Sequence, residues 1–360
     1  MVYKVIGLMS GSSMDGLDIV HVQLDEVRGQ WSFEILHSDC VPYNEEWATN
    51  LRDATRMHVS DFLKLHTAYG RYLGKQINTF ITKHELSHQV HFIASHGHTV
   101  FHEPENNTTC QIGDGAAIAA VTGLPVISDL RALDVALGGQ GAPIVPIGDK
   151  LLFGGYDYLL NIGGIANITV QKEGSLLAFD VCPANQILNA LAEREGKAMD
   201  ENGDMASVGT LLPGMLDELN EGVYYQQPAP KSLSNEAARE LVFPKLLTEN
   251  SNNYDLLHTA TIHIAQQITN AVKQYPHGKE QATLLATGGG AFNTFLIIEL
   301  QKALIPYNVQ VVVPEQGVAK YKEALVMALI GTLRWREETN VLSSVTGAKR
   351  DSVGGALWLG

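Results

Sequence analysis

Cysteine is scarce. The 360 residues hold three, Cys40, Cys110 and Cys182, far apart and odd in number, which suits neither a disulfide framework nor a paired-cysteine metal site. A reducing compartment is the natural setting. Basic residues are also short: 25 Lys and Arg face 39 Asp and Glu, for a formal charge of −14. Nucleic-acid affinity is largely counterion release by basic groups, so this balance argues against a nucleic-acid partner. An anionic small substrate would need local cations, oriented amides or a divalent metal to offset the global field. No apolar run approaches the ~20 residues that span a bilayer. The opening MVYKVIGLMSGSSMDG turns to glycine and serine too soon for a signal peptide, so the expectation is a cytoplasmic protein with no membrane partner. Low-complexity tracts and Pro/Ser-rich linkers are missing too. Neither GxxxxGK[ST] nor a GxGxxG after the first strand occurs, which removes the P-loop and the dinucleotide fingerprint.

What remains is ordinary globular composition, 45% hydrophobic and 18% charged, in a chain long enough for roughly two domains at ~150 residues each. Val5 to Leu8 and Leu17 to Leu24 read as a hairpin around Ser10 to Ser13. Tyr158 to Gln171 repeats the scheme around Gly163-Gly164, so the two halves open alike. Gly288-Gly289-Gly290 follows the apolar run Leu284 to Thr287 and precedes a helical pattern from Phe295 to Leu304. Helical spacing recurs over Ala48 to Met57, Ser60 to Phe80, Gln186 to Glu195, Ser234 to Leu247 and Thr259 to Gln274. Strands are expected at His91 to Ser95, Val126 to Ser128 and Val309 to Val313. The class is α/β with mixed sheets flanked by helices, in lobes 1–150 and 151–360.

Small residues let the backbone turn tightly and present its amides to phosphate. Three loops qualify, at Gly11-Ser12-Ser13, Gly163-Gly164 and Gly288-Gly289-Gly290, although each alone reads first as a plain turn. Together they resemble the sugar kinase, Hsc70 and actin superfamily, whose two related lobes, of ribonuclease H-like architecture, close over ATP. Within it the chain resembles anhydro-N-acetylmuramic acid kinases. The motifs are GLMSGSSMDGLD at Gly7 to Asp18, SHGHTVFHEP at Ser95 to Pro104, QIGD at Gln111 to Asp114, LDVALGGQGAP at Leu133 to Pro143 and NIGGIAN at Asn161 to Asn167. FDVCPAN at Phe179 to Asn185, PAPKS at Pro228 to Ser232, TGGGAFN at Thr287 to Asn293 and SVTGA at Ser344 to Ala348 complete the series.

The resemblance implies hydrolytic opening of 1,6-anhydro-N-acetylmuramic acid and ATP-dependent phosphorylation of its six-oxygen, in peptidoglycan recycling. Asp180 is the implied general base, at the end of a strand Leu176 to Phe179; without the resemblance it is a turn or N-cap aspartate before Pro183. Gly11, Ser12, Ser13, Met14, Asp15, Gly16, Leu17 and Asp18 are implied at the nucleotide, with Asp15 near Mg2+ through water. Gly163, Gly164, Asn167, Gly288, Gly289 and Gly290 are implied there from the other lobe, whose last helix is a candidate to return to the first. Arg131 matches a sugar carboxylate, since guanidinium offers paired donors; its plain alternative is an ion pair with Asp129 or Asp134. Glu323 is implied at the sugar, and Ser95, His96, Gly97 and Thr99, at a strand end, form the pocket wall. His91, His96, His98 and His102 crowd this region, but hydrogen-bonding histidines are the commoner case.

Departures from the family pattern lie at Ser12 for threonine and His98 for glutamine. Val181, Cys182 and Ala184 replace Thr, Gly and Gly, and Asn189 replaces aspartate. The last four lie around or after Asp180, so two other readings stand beside the first: a kinase of the same superfamily with a different sugar or acid, and a nucleotide-binding regulatory protein without catalysis. A homodimer is compatible with the sequence.

Overall fold

A strand buried on both faces reads as a continuous apolar run, whereas one with a solvent face alternates. Val5, Ile6 and Leu8 are at most 1% exposed, and their strand β1, Val2–Ser10, lies in the middle of a mixed sheet. It pairs antiparallel with β2, Leu17–Val27, which pairs antiparallel with β3, Gln30–Val41. On its other side β1 runs parallel to β4, Phe92–Glu103, and β4 to β6, Val126–Ser128. The strand β5, Thr108–Ile112, pairs with the far end of β4, and β12, Ala356–Trp358, closes the edge on β6. In this computed structural model, residues 1–11, 14, 16–172, 175–247 and 251–360 are described.

The second sheet repeats the first. β7, Tyr158–Ile162, pairs antiparallel with β8, Ile165–Lys172, and β8 with β9, Ser175–Pro183. β7 also runs parallel to β10, Ala282–Thr287, and β10 to β11, Val309–Val312. Thus β3-β2-β1-β4-β6 and β9-β8-β7-β10-β11 have the same order and the same senses. Two related lobes of ribonuclease H-like topology are therefore explicit in the strand pairing.

Each sheet buries a helix of long period. Leu65, Tyr69, Leu73, Ile77 and Phe80 form the inner stripe of the helix Val59–Lys83, the three-and-four spacing of an amphipathic helix. Leu256, Ala260, Ile264, Ile268 and Val272 do the same for Asn253–Gln274. Both helices begin earlier than their expected limits, at side-chain caps on His58 and Asn252. The chain divides into one unit of Met1–Leu152 with Tyr321–Gly360 and another of Phe153–Lys320. The helix Gln316–Trp335 changes unit at Tyr321, where its backbone leaves helical geometry. The C-terminal forty residues, expected in the second lobe apart from a returning helix, are grouped with the first. Among the described residues no helix is long and apolar enough to cross a membrane.

Two expected strands are longer than foreseen, with consequences for the site. β4 does not end at Ser95; it passes through His96, Gly97 and Thr99 to Glu103. Its parallel pairing with β1 stops at Ser10 and His98, and from His98 onward β5 takes over. Gly97 lies at the changeover with φ of 73°, and a β-carbon there would meet the Ile112 carbonyl oxygen at 2.5 Å. Likewise β9 continues past Phe179 to Pro183, so Asp180 is inside a strand and opposite Asn167. A bulge on β9 marks the place, Val181 being the extra residue between the pairs Ala166–Cys182 and Asn167–Asp180, as bulges do where a side chain is re-aimed.

Candidate active site

In the second unit three expected elements converge. Gly163 and Gly164 form the two-residue turn between β7 and β8. Their carbonyls accept the N–H groups of Asn185 and Ala184, at 3.0 and 2.8 Å, at the start of the helix Asn185–Glu193. The Asn185 amide donates to the Ile162 carbonyl at 3.0 Å. Gly288 follows β10 with φ of 82°, and a β-carbon there would lie 2.6 Å from the Asn161 Oδ1. Gly290 packs on Ile162 and Asn185, while Gly164 and Gly289 stay exposed. The hairpin, the glycine loop and one helix start thus share a patch. The first N–H groups of the helix are taken by the Gly163 and Gly164 carbonyls, so what the patch offers to a phosphate is the open, side-chain-free backbone of Gly164 and Gly289. Gln186 adds a buried amide nitrogen without a hydrogen-bond partner among the described residues, and its Cβ lies 3.8 Å from a β-carbon built on Gly164. Sequence reading passed over it because glutamine at the start of a helix carries no signal of its own.

Asp180 is half-buried and closely held. Its Oδ2 accepts the Leu233 N–H at 2.8 Å, its own N–H donates to the Lys231 carbonyl at 3.0 Å, and its carbonyl accepts the Tyr224 hydroxyl at 2.8 Å. Burial raises the carboxyl above the usual aspartate range, and the Leu233 donor holds it partly back. This is no exposed turn aspartate. The unfamiliar neighbours Cys182 and Ala184 are fully buried in the core of the unit. Ala184, just before the helix, has φ of −133° and ψ of −104°, outside the extended and helical regions. Burial pushes the Cys182 thiol well up, with Lys231 opposing, so it is neutral and not a nucleophile.

In the first unit the sugar candidates form a second cluster. His96 is 2% exposed; its Nδ1 lies 2.9 Å from the Gly97 carbonyl, which can only accept, and its Nε2 takes the Arg131 Nε–H at 2.9 Å. These bonds set the tautomer. Burial, then Arg131, drive the imidazole down to about 3. Arg131 therefore meets a neutral histidine and forms no ion pair with Asp134, whose oxygens take Gly141 N–H and the Thr346 hydroxyl. The bond uses Nε, which leaves the terminal amino fork with the geometry that matches a carboxylate. Burial brings Arg131 down to about 10, opposed by Glu323. Glu323 is exposed by area yet ringed by protein atoms, and its carboxyl is raised by that surround, with Arg131 and then Lys322 opposing.

Ser95 Oγ accepts the Gly97 N–H at 3.3 Å, and Thr99 takes a long bond of 3.4 Å from Gln111. His98 lies 2.9 Å from Ser10 Oγ, which accepts the Tyr43 hydroxyl at 2.7 Å, and Tyr43 lies 2.6 Å from the Tyr69 hydroxyl. This largely buried chain was not foreseen, because its members come from β1, β4, the loop after β3 and the helix Val59–Lys83. Gly11 is half-buried after β1, Met14 has φ of 57°, and Gly16 leads into β2. Leu17 is 1% exposed, so its side chain belongs to the core, and Asp18 is half-buried beside it. Ser12, Ser13 and Asp15 lie outside the described residues.

The model of the family described as anhydro-N-acetylmuramic acid kinase matches residues 3–360. The chain belongs to that family. A relative of that name from Francisella tularensis subsp. novicida is 32% identical, over 96% of this chain and 95% of its own. Others so named, from Sulfurovum sp. and Shewanella sediminis, are 32% and 34% identical and cover 99% and 98% of both chains. The match to the anhydro-N-acetylmuramic acid kinase family thus spans both units of the fold.

Proposed function

We propose that this chain converts 1,6-anhydro-N-acetylmuramic acid, ATP and water into N-acetylmuramic acid 6-phosphate and ADP, in the recycling of cell wall. The family match from residue 3 to 360 carries this reading. Water attacks the anomeric carbon, the bond from that carbon to the bridging oxygen breaks, and that oxygen attacks the γ-phosphorus as the bond to ADP breaks. Asp180 takes the water's proton. Its raised carboxyl makes it a stronger base than a solvated aspartate, which suits the task. The fork of Arg131, oriented by His96, receives the lactyl carboxylate, and Glu323, Ser95, Gly97 and Thr99 line the sugar's place.

Gly163, Gly164, Asn167 and Gly288 to Gly290 receive the nucleotide, as do Gly11 to Asp18. Magnesium fits as an ion that travels with the phosphates, since it keeps most of its water and takes few protein ligands. Among the described residues no group of three or more His, Cys, Asp or Glu could hold a metal, and Asp15 is proposed as its neighbour through water. When bound, it neutralises charge on the transferring phosphoryl group. A cytoplasmic enzyme, assembled as a homodimer, completes the proposal; light scattering reads the second point.

The test is the reaction in isotopically labelled water. Label on the anomeric hydroxyl of a six-phosphorylated sugar is the expected result. Label in phosphate alone means plain ATP hydrolysis and overturns the reading.

A further inference from the structure

Every main-chain polar atom of Asp180, and one carboxylate oxygen, is bonded to a single stretch, Tyr224 to Leu233. That stretch has one short helical turn, Val223–Gln226, and no strand to stiffen it. Lys231 stitches it together. Its ammonium donates to the Tyr224 carbonyl at 3.0 Å, reaches the Tyr225 carbonyl at 3.5 Å, and lies 4.5 Å from the centre of the Tyr224 ring. Main-chain carbonyls and an aromatic face are both good partners for a compact cation with three donors. The two ends that the ammonium joins, Tyr224 and Lys231, are the residues that bond the carbonyl and the N–H of Asp180. Tyr225 gives the strap a second anchor, its hydroxyl 3.0 Å from His263 Nε2, with His263 Nδ1 2.8 Å from Asn220 Oδ1.

We propose that Lys231 is a positioning residue for the reaction: it closes the Tyr224 to Leu233 strap, and the strap sets where the Asp180 carboxylate points and which donor it meets. The inference rests on the reading of Asp180 as the base. The charged and titratable groups around the strap are Asp180 and Cys182 on β9, Tyr224, Tyr225 and Lys231 on the strap, His263 and Lys245 behind it, and Tyr275, whose hydroxyl accepts the Ala229 N–H at 2.6 Å. The remaining contact on the carboxylate is the Leu233 N–H, which favours its ionised form. A loosened strap withdraws that donor, so Asp180 binds its proton more tightly.

The experiment compares full-length Lys231→Met, Lys231→Arg, Tyr224→Phe and Asp180→Asn with the unaltered enzyme. It measures kcat and KM for ATP and sugar from acid to neutral pH, beside melting temperature. Lys231→Met should lower kcat by about 10²-fold, the cost of a small misplacement of a reacting group, with KM for ATP unchanged. The acid limb of its kcat profile should move to higher pH, and Lys231→Arg should restore most of both. A lowered melting temperature with an unmoved acid limb, or an unchanged kcat, overturns the positioning role. If Lys231→Met does not fold, Tyr224→Phe decides: a limb displaced upward supports the role and an unmoved limb overturns it. Normal turnover in Asp180→Asn instead removes the base assignment beneath the inference, so the two failures are distinct.

Discussion

Asp180 and Arg131 carry opposite assignments of burial. Burial raises the aspartate's affinity for a proton, whereas it lowers the arginine only to about 10, so the guanidinium remains a cation at neutral pH. Asp180→Asn should keep substrate binding and lose about 10²- to 10⁴-fold in turnover, the span of a missing general base, as steady-state rates and calorimetric binding will read. Arg131→Leu should raise KM for the sugar by about 10- to 100-fold, since a hydrogen bond to a charged group is worth about 1.5–3 kcal/mol, while KM for ATP stays put. A ligand without the lactyl carboxylate should lose this discrimination between the two enzymes. Equal KM values for the normal sugar would remove Arg131 from the carboxylate site.

The glycine loops act as elements through their positions next to one another. Gly288 packs against the end of β7, so its lack of a side chain is steric as well as conformational: φ is positive and the Asn161 and Ile162 main chain and side chain fill the space. Gly288→Ala should cost about 1–3 kcal/mol of stability, the scale of a strained backbone position, and lower the melting temperature while raising KM for ATP. By contrast, β-carbons built on Gly163 and Gly164 meet nothing closer than 3.5 Å. Gly164→Ala should therefore leave the stability within about 0.5 kcal/mol of normal, and any loss of activity would come from ligand contact. A large loss of stability in Gly164→Ala would contradict the open turn seen here.

At the scale of the molecule, buried neutral histidines set the response to acid. His21, His96 and His263 are held down to about 4, about 3 and about 3, chiefly by burial. An unfolded chain binds those protons below about pH 6.5, whereas the folded one does not until near pH 4. Between these limits the unfolded state carries more protons, so stability rises with pH across the window and is lost as pH falls through it. Asp180 and Glu323, raised by burial, run the other way and soften the slope. Urea midpoints should decline from pH 7 to pH 4.5, and His263→Gln should flatten the decline. A flat profile in the unaltered protein would show that the imidazoles gain protons without cost.

Short-range pattern was enough to determine much of this protein. The apolar runs at β1, β7 and β10, the turn glycines after them and the helix stripes are local consequences of side-chain size and period, and the ordered motifs led to the family before any contact was known. Strand limits were less legible. β4 and β9 outrun their apolar runs because their later residues are satisfied by β5 and β8, partners distant in sequence or offset by a bulge. Only tertiary structure decided that Arg131 bonds His96 instead of a neighbouring aspartate, and that Cys182 faces the core. The same holds for Lys231, Tyr224 and Leu233, whose place around Asp180 depends on a loop folding back across some fifty residues of chain. Such bonds have no period and no composition. They exist because a buried carboxylate and its backbone must find donors and acceptors wherever the packed chain supplies them.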